Sequence, residues 1–137
     1  MKILFDINVV LDVILERKPW SGDSSALLDA AERRKVTGYV AGHTITTVYY
    51  IVARASGARR AATAVADLLR IVKIVPIAEA DFTQALVLGI ADFEDSVQAA
   101  AAAKVGADYL ATRNGKDFRN SPVKPRSPAE LLAMLSV

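Results

Sequence analysis

Lys2-Ile3-Leu4-Phe5-Asp6-Ile7-Asn8 decides the fold. Its apolar run, Ile3 to Phe5, is short and stops abruptly at a carboxylate. Such a run reads as a strand buried on both faces, the central strand of a parallel sheet. Asp6 then falls at the strand's C-terminal end, where open α/β sheets place their ligand sites. The other reading of Asp6 is a cap for the helix that starts near Asn8, a common use of Asp. Position alone does not separate the two, so the rest of the chain must supply Asp6 with companions or leave it alone.

Outward from that strand, helical and strand patterns alternate. Val9 to Leu15 stays apolar and runs into Glu16-Arg17-Lys18-Pro19, where Pro19 and Trp20 end a short helix. Ser21 to Asp23 offers caps for a second helix, which Glu32-Arg33-Arg34-Lys35 closes with charge suited to the helix dipole. Val36 to Ala41 reads as a second strand, weakened by Gly38. Helices are expected from Thr44 to Ala55 and from Ala58 to Leu69, then a β-branched third strand from Ile71 to Ile77. Glu79 to Ile90 reads as helix, with Gly89 marking its end. Asp92-Phe93-Glu94-Asp95 opens another helix, Ser96 to about Val105, stopped by Gly106. Tyr109 to Thr112 is a fourth strand, followed by the turn Arg113 to Phe118, and a weak fifth lies near Val123-Lys124. Ser127-Pro128-Ala129-Glu130 places Ser at N-cap, Pro at N1 and Glu at N3, a complete helix start for Leu131 to Leu135. Alternation of this kind predicts an α/β protein with a parallel sheet and right-handed crossovers.

The 137 residues suit one domain, spanning 1–137, with a substantial core. The chain is 53% hydrophobic with mean hydropathy +0.27, which describes a folded protein rather than a disordered one. No apolar run is long enough to span a bilayer, and Asp6 interrupts any signal-peptide pattern. The expectation is a cytoplasmic protein that does not engage a membrane. Having no cysteine, the chain has no disulfide, no thiolate metal site and no Cys nucleophile. Its single histidine, His43, argues against zinc and reads as a capping or packing residue. Net charge +2 and pI near 9.0 permit nucleic acid as a partner without requiring it. A metal here would be held by carboxylates, which means Mg²⁺ or Mn²⁺.

The acids fall at comparable places: Asp6 after the first strand, Asp92, Glu94 and Asp95 at a helix start, Asp117 after the fourth strand. In a parallel sheet, strand C-termini and the N-termini of the following helices share one edge. Acids gathered there repel unless a cation neutralises them, so the arrangement makes sense as a divalent-metal site. Each has a local alternative: acids at a helix start favour the dipole, Asp117 suits a turn, and Asp12 reads as a solvent-facing or capping acid.

The segments ILFDINVVLD, DFEDSVQAAAA, LATRNGKDF and SPAELL, in that order along nearly the whole chain, resemble a PIN domain, nearest the branch of VapC-type toxins. The resemblance implies a three-layer α/β/α sandwich with a central parallel sheet, and an endoribonuclease site of acids binding Mg²⁺ or Mn²⁺. It further implies a homodimer, an RNA substrate and inhibition by a small antitoxin. Asp6 resembles the family's first acid and Asp95 its third. Thr112, Asn114 and Asp117 lie in a segment resembling the strand-four motif, with Asn114 where an acid is common. Asn8 resembles a polar residue that supports the first acid. On this carry-over Asp6, Asp95 and Asp117 are the metal ligands, with Asn8, Thr112 and Asn114 positioning them.

One departure stands out. The family usually carries a second acid on the helix that here reads Thr44-Ile45-Thr46-Thr47-Val48-Tyr49-Tyr50, and no acid occurs between Glu32 and Asp67. Thr47 or Tyr49 takes that place, unless Asp92, Glu94 or Asp12 compensates. The alternative function is therefore a non-catalytic module that binds RNA or protein. Arg54, Arg59 and Arg60, or Lys116 and Arg119, are candidates for phosphate contacts, although basic surface residues are usually only solvated. Tyr49 or Tyr50 is a candidate for base stacking, although aromatics at that spacing are more often core.

Overall fold

A computed structural model describes residues 1–136. Its centre is a five-stranded, wholly parallel sheet in the order β3-β2-β1-β4-β5. The strands are β1 (Lys2–Phe5), β2 (Thr37–Ala41), β3 (Lys73–Val75), β4 (Tyr109–Ala111) and β5 (Pro125–Arg126). The helices are α1 (Ile7–Ile14), α2 (Ser21–Glu32), α3 (Gly42–Ser56), α4 (Ala58–Ile71), α5 (Glu79–Leu86), α6 (Phe93–Lys104) and α7 (Pro128–Leu135). A 3-10 helix, Gly115–Phe118, follows β4.

The first strand lies in the middle of the sheet, and Ile3, Leu4 and Phe5 are all fully buried. Side chains alternate across a strand. Ile3 and Phe5 accordingly pack into a cluster with α1 to α4 and α7, through Val10, Leu27, Val48, Leu68 and Leu131. Leu4 points the other way, to Ala99, Ala101, Leu110 and Phe118 beneath α6. This is a three-layer α/β/α sandwich. The alanine run of α6 lets that helix lie close to the sheet, since Ala99 to Ala102 are all buried.

Several boundaries differ from the sequence expectation. Helix α3 begins at Gly42 rather than Thr44, where an added Cβ would lie 3.2 Å from the Val75 carbonyl oxygen. The third strand is only Lys73–Val75 because α4 continues to Ile71. Helix α5 stops at Leu86, before Gly89, which turns the chain at φ +74. The fifth strand forms at Pro125–Arg126, just past Val123-Lys124. Gly38 does more than weaken β2: a Cβ there would lie 2.9 Å from Phe5 Cε2 and 3.1 Å from Ala31 Cβ. Only glycine lets Phe5 and α2 close over that strand. At α7 the Ser127 hydroxyl accepts from the Glu130 N–H at 3.1 Å and Glu130 Oε1 from the Ser127 N–H at 3.0 Å. That capping box is the one read from the sequence. Among the described residues no helix is long and apolar enough to cross a membrane.

Candidate metal centre

Asp6 stands at the N-cap position of α1, but its side chain makes no capping hydrogen bond. The carboxylate turns inward, with the residue 1% exposed. Its Oδ2 accepts from Thr112 Oγ1 at 2.9 Å and its Oδ1 from Gln98 Nε2 at 3.0 Å. Thr112 in turn accepts from the Asn114 N–H at 3.0 Å, so strand β4 and the turn after it hold the acid from one side. Burial pushes the Asp6 carboxyl above the ordinary range, against the pull of Gln98, Thr112 and the Asn8 and Ile7 backbone N–H groups. Asn8 therefore reaches Asp6 through its backbone.

Asp95 is half-buried at the start of α6, and its Oδ1 accepts from the same Gln98 Nε2 at 3.3 Å. Burial, then the charges of Asp6, Asp92, Asp117 and Glu94, push its pKa up to about 7. The charges of Asp6 and Asp117 thus both reach Asp95. No lysine or arginine forms an ion pair with any of them among the described residues. Asp117 is exposed and lines a cleft of 180 Å³ with Gly89, Lys116, Arg119 and Asn120.

The other acids divide. Asp92 is the α6 N-cap and accepts from the Asp95 N–H at 3.0 Å, the local role its position suggests. Glu94 crosses to α3, where its Oε2 lies 3.2 Å from Thr47 Oγ1. Thr47, and not Tyr49, faces the acids at the point where α3 lacks its own; Tyr49 packs against the core. Asp12 is neither solvent-facing nor a cap. It is fully buried, bonded to Arg113 Nε at 2.8 Å and Nη2 at 3.3 Å, with Arg17 at 3.7 Å. Both its oxygens are spoken for, and the Arg113 guanidinium lies 3.7 Å above the Trp20 ring. Cation–π stacking of this kind helps hold a partly desolvated guanidinium.

His43 packs near Glu94 with neither ring nitrogen bonded, and burial lowers its pKa, so it is neutral at neutral pH. Arg54, Arg59 and Arg60 are all exposed, and Arg60 donates to the Ile14 carbonyl at 3.2 Å. Lys116 and Arg119 flank Asp117. Gln98 escaped the sequence reading altogether; its only signal was a long polar side chain at the head of a buried alanine run.

The donor set fits a hard divalent cation, because it is all oxygen and carries uncompensated negative charge. Among the described residues no three acid or histidine side chains are drawn tightly enough together to form a finished cage. The raised pKa of Asp95 goes with this: burial comes first among its causes, and the charges of Asp6, Asp92, Asp117 and Glu94 add to it.

Fold and site together define a three-layer α/β protein with an acidic centre at the C-terminal edge of its sheet. Residues 2–116 match the family model of the PIN domain, and the chain belongs to that family, a family of nucleases. Among curated protein sequences none matches. Solved structures share the fold. VapBC2 from Rickettsia felis, bound to a DNA fragment from its promoter, aligns with TM-score 0.73 and 15% identity over 93% of this chain and 98% of that one. FitAcB from Neisseria gonorrhoeae aligns with TM-score 0.67 and 21% identity over 93% and 98%. VapC20 from Mycobacterium tuberculosis, a sarcin-ricin loop cleaving toxin, aligns with TM-score 0.66 and 16% identity over 79% and 86%.

Proposed function

We propose that residues 1–137 form one PIN-like domain acting in the cytoplasm as a divalent-metal-dependent endoribonuclease, the toxin of a toxin–antitoxin pair. The observation that carries the reading is that Asp6 and Asp95 share the Gln98 amide, at 3.0 and 3.3 Å, with no lysine or arginine among the described residues paired to either of them or to Asp117. Burial first, and then the neighbouring acids, push Asp95 up to about 7. Asp6, Asp95 and Asp117 would hold Mg²⁺ or Mn²⁺, with Glu94 supplying the charge that α3 lacks. When bound, the cation offsets the charge of the scissile phosphate and acidifies the attacking water. Thr112 and the Asn114 backbone keep Asp6 in one orientation, and Asn8 supports it from α1. Asp95 Oδ2, which Gln98 leaves free, is the oxygen that would face the cation. Lys116 and Arg119 meet the phosphates entering beside Asp117.

The toxin assignment is supported by the family and by structural neighbours solved as VapBC and FitAB complexes; here it means a small antitoxin partner. A second copy of the chain is the other partner. Phe82 and Phe93 stack at 6.3 Å, and Leu86 and Val87 beside them are about three-quarters exposed (72% and 75%). Tyr50 and Ile51 lie one turn beyond Thr47 on α3, and Thr47 touches Glu94, the neighbour of Phe93. An apolar surface of that kind marks an interface.

Cleavage of an unstructured RNA across an Mg²⁺ and Mn²⁺ titration tests the reading, with Asp95→Asn as the control. Metal-dependent cleavage by the wild type and its loss in the variant are expected. The missing α3 acid favours one second reading, a binding module with a degraded site. RNA binding with no cleavage at any metal concentration would establish that instead.

A further inference from the structure

We infer that Gln98 is a positioning residue of the acid site, a neutral brace that holds Asp6 and Asp95 as one rigid pair; the inference rests on the ribonuclease reading above. Gln98 is fully buried, though its neighbours along α6 are alanines and a valine. A buried primary amide is costly unless its carbonyl and both its hydrogens find partners. Here they do. Oε1 accepts from the Ile7 N–H at 2.9 Å. Ile7 is the first residue of α1, so that N–H has no partner inside its own helix.

This contact sets the orientation of the amide. Only the carbonyl oxygen can face an N–H, so the NH₂ must face the other way. Its two hydrogens go to two carboxylates, Asp6 Oδ1 at 3.0 Å and Asp95 Oδ1 at 3.3 Å. Glutamate could not serve, since it donates no hydrogen when ionised and adds a third negative charge. A hydrophobic residue would take away both the acceptor of the Ile7 N–H and the side-chain donor to Asp6 Oδ1. Thr112 fixes the second oxygen of Asp6, so that carboxylate is held at both ends. Asp95 is held at one oxygen only, with Oδ2 left for chemistry. Gln98, itself on α6, therefore ties the start of α1 to the two acids whose separation a shared cation must match. Partners of ligating side chains typically contribute about 10–100-fold in metal affinity or activity.

The test compares wild type with Gln98→Met, similar in length but unable to donate or accept in this way. Mn²⁺ binding to the RNA-free protein is measured by calorimetry, and RNA cleavage under saturating metal gives kcat and KM separately. The expected result is Mn²⁺ affinity and kcat each lowered about 10–100-fold, with KM for RNA unchanged. A brace that serves only folding would lower stability and leave both values alone. Wild type that binds Mn²⁺ and cleaves RNA, with Gln98→Met within twofold of it on both counts, overturns the inference and leaves the ribonuclease reading standing. Wild type that does neither overturns both. Should Gln98→Met not fold, the wild-type side-chain amide signals decide, with exposed Gln84, the only other glutamine, as internal reference. The Gln98 signals are expected to shift with Mg²⁺ and to broaden first with Mn²⁺; signals that stay with those of Gln84 overturn the inference.

Discussion

Asp12 and Asp95 are both withdrawn from solvent, and their surroundings could hardly differ more. Asp12, fully buried, has two arginines on its carboxylate, one of them stacked on Trp20. Asp95, only half-buried, has four acids acting on it and no cation. A buried charge costs several kcal/mol (roughly) unless paired, so folding demands the arginines around Asp12. Nothing in folding demands the gathering around Asp95, which disfavours the charged state. Paired buried acids mark architecture, and unpaired gathered acids mark a site awaiting a ligand. The two groups are only a residue apart in places: Thr112 serves Asp6 while Arg113 serves Asp12.

The largest expected effect breaks the architectural pair. Arg113→Met leaves Asp12 with Arg17 alone at 3.7 Å and should cost about 3 kcal/mol of stability or more, read by urea unfolding. A loss near zero would mean that Asp12 does not need its partner. Asp95→Asn should do the reverse, lowering RNA cleavage about 100-fold while leaving stability at pH 8 unchanged or raised. If Asp95→Asn unfolds the protein as readily as Arg113→Met, the contrast between the two acids collapses.

Glu94→Gln sharpens the boundary of the site. Affinity for hard cations follows the number of charged oxygens, so Mn²⁺ binding by calorimetry should weaken about 10-fold with the fold intact. Unchanged affinity would assign Glu94 to Thr47 alone.

The smallest effect is in the pH dependence. Asp95 has a folded pKa of about 7 against an ordinary 3.8, so between those values the folded state binds more protons than the unfolded. Its contribution to stability therefore falls as pH rises through that window and is flat above it. His43 acts oppositely: its lowered pKa removes stability as pH falls below its ordinary 6.5. Subtracting the Asp95→Asn melting curve from that of wild type cancels His43. The difference should be a few degrees at most. Saturating Mg²⁺ should raise the wild-type midpoint more at pH 8 than at pH 5; an equal rise at both would detach Asp95 from the cation.

The features legible in the chain are those with local causes. The Ile3–Phe5 run, the alternation of strands and helices, and the Ser127–Glu130 capping box depend on periodicity and on neighbours a few residues apart. They led to an α/β fold with a parallel sheet and pointed Asp6, Asp95 and Asp117 to one edge of it, whereas the three-layer sandwich and the place of Thr112 came from the resemblance to a PIN domain. What tertiary structure alone decided are pairings between distant parts of the chain. Arg113 meets Asp12 across 101 positions, Glu94 meets Thr47 across 47, and Gln98 meets Asp6 across 92. Those distances close only because β1 lies between β2 and β4 and α6 packs across it. No local propensity encodes which side chain will face which. Gln98 in its alanine run therefore drew no reading, and Asp12 read as a solvent-facing or capping acid, although the fold buries both.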